Sequence, residues 1–157
     1  MLFLNTGIQG AAAIFNQAMC SYLRIPLATY AMHDHALLLT GICFGQVHYL
    51  HQSLMYYRQH ASNLTGQAPG SIRKKIQLPW QNRHVPLVSR LHLDGLAAFF
   101  ARFHRELSGD DAQIITIFLR MPEQSFLTRM WMIIRHRFML FDSTFLLLIK
   151  FCIRRYI

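Results

Sequence analysis

The first part of the chain contains two segments with helical patterns. Asn16 is a common N-cap residue and predicts a short helix that continues through Leu23. Apolar residues at helical spacing follow Asp34, which falls in the first turn of a second predicted helix. Gly45 is the residue type that most often follows a helix, so we expect the second helix to end there.

Strand-like patterns surround these helices. Valine, tyrosine and leucine nearly alternate with polar residues over 46–50 and 54–58, and a short apolar run at 11–15 is typical of a buried strand. Gly7 and Gly10 precede that run and indicate that the backbone approaches another group closely. The sequence therefore predicts the α/β class, or α+β if the chain is a fragment, with a partial sheet against helices.

A change of composition separates this part from the rest. The stretch from Ala61 to Ser71 is rich in serine, asparagine, glycine and proline, which is typical of a loop. We predict a first region at 1–66, a linker at 67–86 and a helical, basic and aromatic tail at 87–157.

The tail shows helical patterns throughout. Apolar residues repeat at helical spacing over 87–107. Asp110 and Asp111 are expected to begin the next helix, because acidic side chains stabilise a helix N-terminus. Pro122 is expected to open a third helix at its first position. A further aromatic and aliphatic segment follows at 138–157.

The charge balance favours anionic partners. The 157 residues have a formal net charge of +9, yet only 15% are charged and 53% are hydrophobic. From Arg73 onward the basic residues are mixed with aromatic and aliphatic ones. Because nucleic-acid-binding domains usually have denser basic faces, we expect an anionic membrane surface as partner and no nucleic acid.

The cysteines predict no disulfide. Cys20, Cys43 and Cys152 are odd in number, lie far apart and match no zinc-binding spacing. Each has apolar neighbours, so we expect buried free thiols in a reducing compartment.

Asp34 is the leading candidate for chemistry because it is the only carboxylate before Asp94. A lone acid in an uncharged region serves as a general base when it faces a cleft. An aspartate in a first helical turn is equally an ordinary capping residue. A His-Asp pair such as His33 and Asp34 also occurs in metal-dependent phosphohydrolases, but those need further His and Asp residues at helical spacings that this sequence lacks.

Arg58 and His60 form a second polar cluster. They are two residues apart, so their side chains share a face if the strand continues. Arginine suits a diphosphate through paired hydrogen bonds, and histidine suits a metal or a phosphate. The alternative is a strand end with a solvated arginine and a histidine bonded to backbone.

Four motifs follow one another along the chain. They are Gln-Gly-Ala-Ala-Ala-Ile-Phe-Asn at 9–16, Met-His-Asp-His at 32–35, Phe-Gly at 44–45, and Tyr-Arg-Gln-His-Ala-Ser-Asn-Leu-Thr-Gly at 57–66. This order resembles the C-terminal half of bacterial family 2 glycosyltransferases of the rhamnosyltransferase-like kind. The resemblance covers about residues 6–66, and the tail matches only in its basic, aromatic and helical character.

The resemblance implies a GT-A fold, a mixed sheet between helices that binds a nucleotide-sugar and a divalent metal, Mg or Mn. It implies an inverting transfer in which Asp34 removes the proton of the acceptor hydroxyl. Arg58 and His60 are expected near the donor diphosphate, with His60 able to contact the metal, and His33 and His35 on the acceptor side. Such enzymes build cell-surface polysaccharides on saccharide or lipid-linked acceptors.

The resemblance also implies that the nucleotide-binding half of the enzyme is missing. Family members begin with a nucleotide-binding half that contains an Asp-x-Asp metal motif, and no Asp-x-Asp occurs here. We therefore expect a fragment that is inactive alone. The alternatives are a non-catalytic membrane-surface binding module and a subunit that completes a separately encoded N-terminal half.

The last part of the tail, 126–157, is expected to lie on the inner face of the cell membrane, which makes the chain cytoplasmic and peripheral. Its longest apolar run, 145–149, is too short to cross a bilayer. We expect the arginines of this segment to contact lipid phosphates, namely Arg129, Arg135, Arg137, Arg154 and Arg155. We expect its aromatic side chains to enter the headgroup boundary, namely Trp131, Phe138, Phe141 and Phe145. The alternative is that these aromatic side chains pack on the domain or on a partner chain.

Overall fold

The computed structural model describes residues 10–23, 30, 32–54, 56, 83–140 and 143–157. In these residues the regular structure is helical. The α-helices are α1 (Gln17–Cys20), α2 (His33–Phe44), α3 (Arg90–Phe103), α4 (Gly109–Arg120), α5 (Phe126–Arg135) and α6 (Thr144–Ile153). Short 3-10 helices lie at Gly10–Ala12 and Met121–Glu123.

The predicted α/β class, with α+β as the fragment form, is wrong for the part of the chain that the structure describes. No strand or sheet occurs there, and the GT-A sheet is therefore not supported. Residues 46–50 are irregular and exposed, and the described positions within 54–58 lie outside any strand. The run 11–15 begins in a 3-10 turn, and Ile14 is 96% exposed.

The physical reason is that a strand satisfies its backbone groups only through a neighbouring strand. None of the described segments lies beside residues 46–50 to form that ladder; the one bridge among the described residues is an isolated antiparallel pair, Leu140 and Ser143. Alternating side chains at 46–50 are therefore not enough to form a strand.

Serine side chains begin all four helices of the tail. The hydroxyls of Ser89, Ser108, Ser125 and Ser143 accept hydrogen bonds from backbone N–H groups three residues on, at 3.2, 3.1, 3.3 and 3.2 Å. Asn16 does the same for α1 at 3.1 Å, as its residue type predicts. Each bond satisfies a backbone donor that has no partner inside the helix.

Several predicted helix limits agree with the structure. Helix α2 has Asp34 in its first turn and ends at Gly45, and α4 has Asp110 and Asp111 in its first turn. Pro122 differs from the prediction because it lies in the 3-10 turn, and α5 begins only after Ser125 provides the cap.

One hydrophobic cluster joins α2 to the helices of the tail. Phe99 and Phe103, on one face of α3, are 0% and 2% exposed. The Phe44 ring at the end of α2 lies 5.2 Å from the Phe103 ring and stacks on Tyr22 at 4.6 Å. The domain limits predicted at 66 and 67 lie outside the described residues, so that division stays a prediction.

The segment after α6 is tied to the segment before α3. Arg154 donates from Nε to the Val85 carbonyl at 2.7 Å and from Nη2 to the Pro86 carbonyl at 2.8 Å. The Leu87 and Val88 N–H groups donate to the carbonyls of residues 155 and 156 at 2.8 and 2.9 Å. These bonds bring the two ends of the helical tail together.

A turn with a left-handed residue ends α5. Arg137 has φ of 49°, and the Phe138 N–H donates to the Ile133 carbonyl at 2.9 Å. This is the Schellman arrangement, in which the residue at the Arg137 position is usually glycine. The turn directs Phe138 back into the core, where it is 2% exposed.

We predict that Arg137→Gly raises the free energy of unfolding by about 0.5 kcal/mol or more, because glycine adopts positive φ without a steric penalty. Urea unfolding measures the change. The matched control is Arg135→Gly, the same substitution inside α5, which should lower stability by about 1 kcal/mol. A loss of stability for Arg137→Gly of similar size to the control would contradict the assignment.

Candidate functional site

The three candidate residues at the start of α2 point in different directions. Successive side chains on a helix are about 100° apart, so His33, Asp34 and His35 cannot share one face. His33 is exposed, whereas Asp34 and His35 are 4% and 2% exposed. The three residues are adjacent in sequence, but their side chains lie in different surroundings.

Asp34 is a shielded carboxylate with an open hydrogen-bonding position. Its Oδ1 is buried and has no hydrogen-bond partner among the described residues. The N-terminal turn of α2 favours a negative charge at this place. Met32, at the N-cap, provides no side-chain cap. A buried carboxylate oxygen without a donor is costly, and a hydroxyl or N–H supplied by another group would relieve that cost.

His33 lies against the backbone of Gly10. A Cβ added at Gly10 would be 2.5 Å from His33 Nε2, so only glycine allows this approach without displacing the imidazole. This agrees with the close backbone approach predicted from the glycines, although Gly7 lies outside the described residues. The contact fixes the 3-10 turn at Gly10–Ala12 beside the start of α2.

His35 packs into the interior. Its ring lies 4.2 Å from the ring of His92 on α3, with the planes tilted by 33°. The imidazole pair joins the first turn of α2 to the first turn of α3. The predicted acceptor-side role of His35 stays a prediction, and its position gives it a packing role as well.

Arg58 and His60 lie outside the described residues, so their placement at a donor diphosphate stays a prediction. A group of three or more His, Cys, Asp or Glu side chains that could hold a metal ion does not occur in the part of the chain that the structure describes. The divalent metal and the role of His60 as its ligand therefore also stay predictions.

The cysteines are free, as predicted, but two of them are not buried. Cys20 and Cys152 are exposed and Cys43 is half-buried. Burial, and to a smaller extent the negative charge of Asp111, raise the pKa of the Cys43 thiol to about 12. Cys43 is therefore a poor nucleophile near neutral pH, since the thiolate is the reactive form.

Helix α5 has an exposed apolar face that the sequence analysis did not define. Leu127, Trp131 and Ile134 are spaced i, i+4 and i+7 and are 75%, 61% and 55% exposed. We call these three residues the α5 stripe. Exposed Arg135 and Arg137 lie at the C-terminal end of the same helix.

The residues predicted to contact the membrane surface differ in their exposure. Trp131 and Phe145 are exposed, at 61% and 71%, as that assignment requires. Phe138 packs in the core and cannot reach lipid, and Phe141 lies outside the described residues. Arg129 and Arg154 bond to backbone carbonyls, so only part of each guanidinium is available.

Sequence reasoning missed His92 and Leu127. The helical spacing of Leu127, Trp131 and Ile134 could have been recognised in the sequence as an apolar face, because polar residues occupy only part of that helix. No local signal pairs His35 with His92, since the contact depends on how α2 packs against α3.

Comparisons with known proteins add no relative. The sequence matches no family model and no curated protein, and the structure matches no solved structure. The likeness to family 2 glycosyltransferases therefore rests on the quoted motifs. Among the described residues, every helix is too short or too polar to span a membrane.

Proposed function

We propose that this chain supplies the acceptor side of an inverting sugar-transfer site, with Asp34 as the base. The observation that carries the proposal is the Asp34 carboxylate, which is 4% exposed and has a buried Oδ1 without a hydrogen-bond partner among the described residues. The motif order around it, with Met-His-Asp-His at 32–35, gives the reaction class.

The chemistry requires one base and a stabilised leaving group. The carboxylate takes the proton of the acceptor hydroxyl while the oxygen of that hydroxyl bonds to the anomeric carbon of the sugar. The bond from that carbon to the diphosphate breaks on the opposite side, and the nucleoside diphosphate leaves. Arg58 and His60 are suited to hold that diphosphate, with a divalent metal that supplies further positive charge. The donor-binding half belongs to residues other than these 157.

The test is Asp34→Asn in an enzyme reassembled from this chain and a nucleotide-binding half. We expect turnover to fall by on the order of a hundredfold or more, while the affinity for the donor changes little, because the base acts only on the acceptor. Asp94→Asn, at an exposed acid on α3, is the matched control and should keep full turnover. Turnover of Asp34→Asn within a few-fold of the unsubstituted enzyme would rule the assignment out.

A second candidate function is binding to an anionic membrane surface, and the α5 stripe favours it. Leu127, Trp131 and Ile134 present apolar area to solvent beside the cationic Arg135 and Arg137. This combination suits a helix that lies in the headgroup region, with its apolar side chains in the acyl boundary and its arginines at lipid phosphates.

We predict that the chain floats with vesicles of phosphatidylcholine and phosphatidylglycerol, and that binding falls steeply as salt is raised. Replacing Leu127 and Trp131 together by alanine should weaken binding by about tenfold or more, because about 2 kcal/mol of apolar burial is lost. The matched control replaces Leu50 and Tyr49, which are also exposed, at 64% and 73%. Binding to pure phosphatidylcholine that ignores salt, or equal losses in both pairs, would contradict the proposal.

A further inference from the structure

The segment after α6 and the start of α5 line an open cavity of about 610 Å³. Its walls include Phe126, Arg129, Phe151, Arg154, Arg155 and Tyr156. A volume of this size is within the range of small-molecule sites. The cavity is distinct from the start of α2, where Asp34 lies, and it takes no part in the proposed sugar transfer.

Arg129 is held rigidly on one wall. Its Nε donates to the Gln124 carbonyl at 2.8 Å and its Nη2 donates to the Pro122 carbonyl at 3.1 Å. The guanidinium also lies over the Tyr156 ring, 5.1 Å from the centroid. Its Nη1 has no hydrogen-bond partner among the described residues. Both N–H groups of that nitrogen are therefore available in a fixed position.

Arg154 repeats this arrangement on another wall. Its Nε and Nη2 bond to the carbonyls of Val85 and Pro86, and its Nη1 is likewise without a partner among the described residues. Arginines anchored in this way lose little conformational freedom when they bind a ligand, because their side chains are already ordered.

The arginines of the cavity form no close ion pair. Among the described residues, the one ion pair within 4.0 Å is Arg102 with Glu106, so Arg129, Arg154 and Arg155 have no carboxylate at that distance. An anion that enters the cavity would meet three cations without displacing an ion pair. This favours anion binding over a purely structural role for the arginines.

Tyr156 contributes its ring and not its hydroxyl. Its side chain is 7% exposed and its hydroxyl oxygen is buried. The ring lies beneath the Arg129 guanidinium and helps to hold that cation in place on the cavity wall.

We propose that this cavity binds a phosphate ester, as a monophosphate or a diphosphate, through Arg129, Arg154 and Arg155. Planar guanidinium groups match phosphate oxygens through paired hydrogen bonds. The stacked rings of Phe126 and Phe151, 5.1 Å apart, provide an apolar wall for the organic part of the ester. The proposal does not depend on the sugar-transfer function.

Calorimetric titration of the full chain with inorganic pyrophosphate is the primary test. We expect one site per chain and an affinity that falls about tenfold in Arg155→Gln, which removes a charged donor from the cavity wall. Tyr156→Phe should keep the affinity, because the hydroxyl is buried and the ring that lies beneath Arg129 is retained.

The control is Arg90→Gln, which changes the net charge equally at an exposed position on α3. It should bind pyrophosphate as the unsubstituted chain does. No binding, or equal weakening in Arg90→Gln and Arg155→Gln, would overturn the proposal.

Vesicles of phosphatidylcholine with phosphatidic acid distinguish the two sources of a phosphate ester. If the ligand is a lipid headgroup, pyrophosphate competes with these vesicles, and Arg155→Gln weakens flotation more than Arg90→Gln does. If the ligand is a soluble ester, Arg155→Gln lowers the affinity for pyrophosphate, and its flotation equals that of Arg90→Gln. Each result supports the site, and failure in both arms refutes it.

Discussion

The ring of Phe44 provides the aromatic contacts that hold α2 against α3. It lies 5.2 Å from Phe103 and 6.0 Å from Phe99, and it stacks on Tyr22. Helix α2 has 12 residues, a length at which an isolated helix is marginal in water. Its stability therefore comes from burial against α3, and the aromatic contacts fix the end of α2 that lies away from Asp34.

Anchoring one end of α2 determines what its other end can do. Phe44 and His35 both contact α3, so the helix cannot turn about its axis, and the Asp34 carboxylate is held in a shielded position. Fixed position and exclusion of water are what a catalytic base requires. The tail provides the support, because the bonds of Arg154 to residues 85 and 86 hold the start of α3 in place.

The sequence predicted the features that depend on local interactions. Caps such as Asn16, the first turn at Asp34 and the helix end at Gly45 were readable because each involves residues within one or two turns. The prediction of strands at 46–50 and 54–58 failed at the described positions, because an alternating pattern does not reveal whether a neighbouring strand exists. Whether an aromatic residue such as Phe138 faces the core or solvent also depends on the turn before it, which is set by the positive φ of Arg137.

The central claim, that these residues form one side of a sugar-transfer site, is tested most directly by complementation. This chain and the nucleotide-binding half of a rhamnosyltransferase-like enzyme would be assayed separately and together with nucleotide-sugars, and the anomeric configuration of the product read by NMR. We expect transfer only when both halves are present, and we expect the product to have inverted anomeric configuration. Transfer by this chain alone, or a product of retained configuration, would contradict the claim.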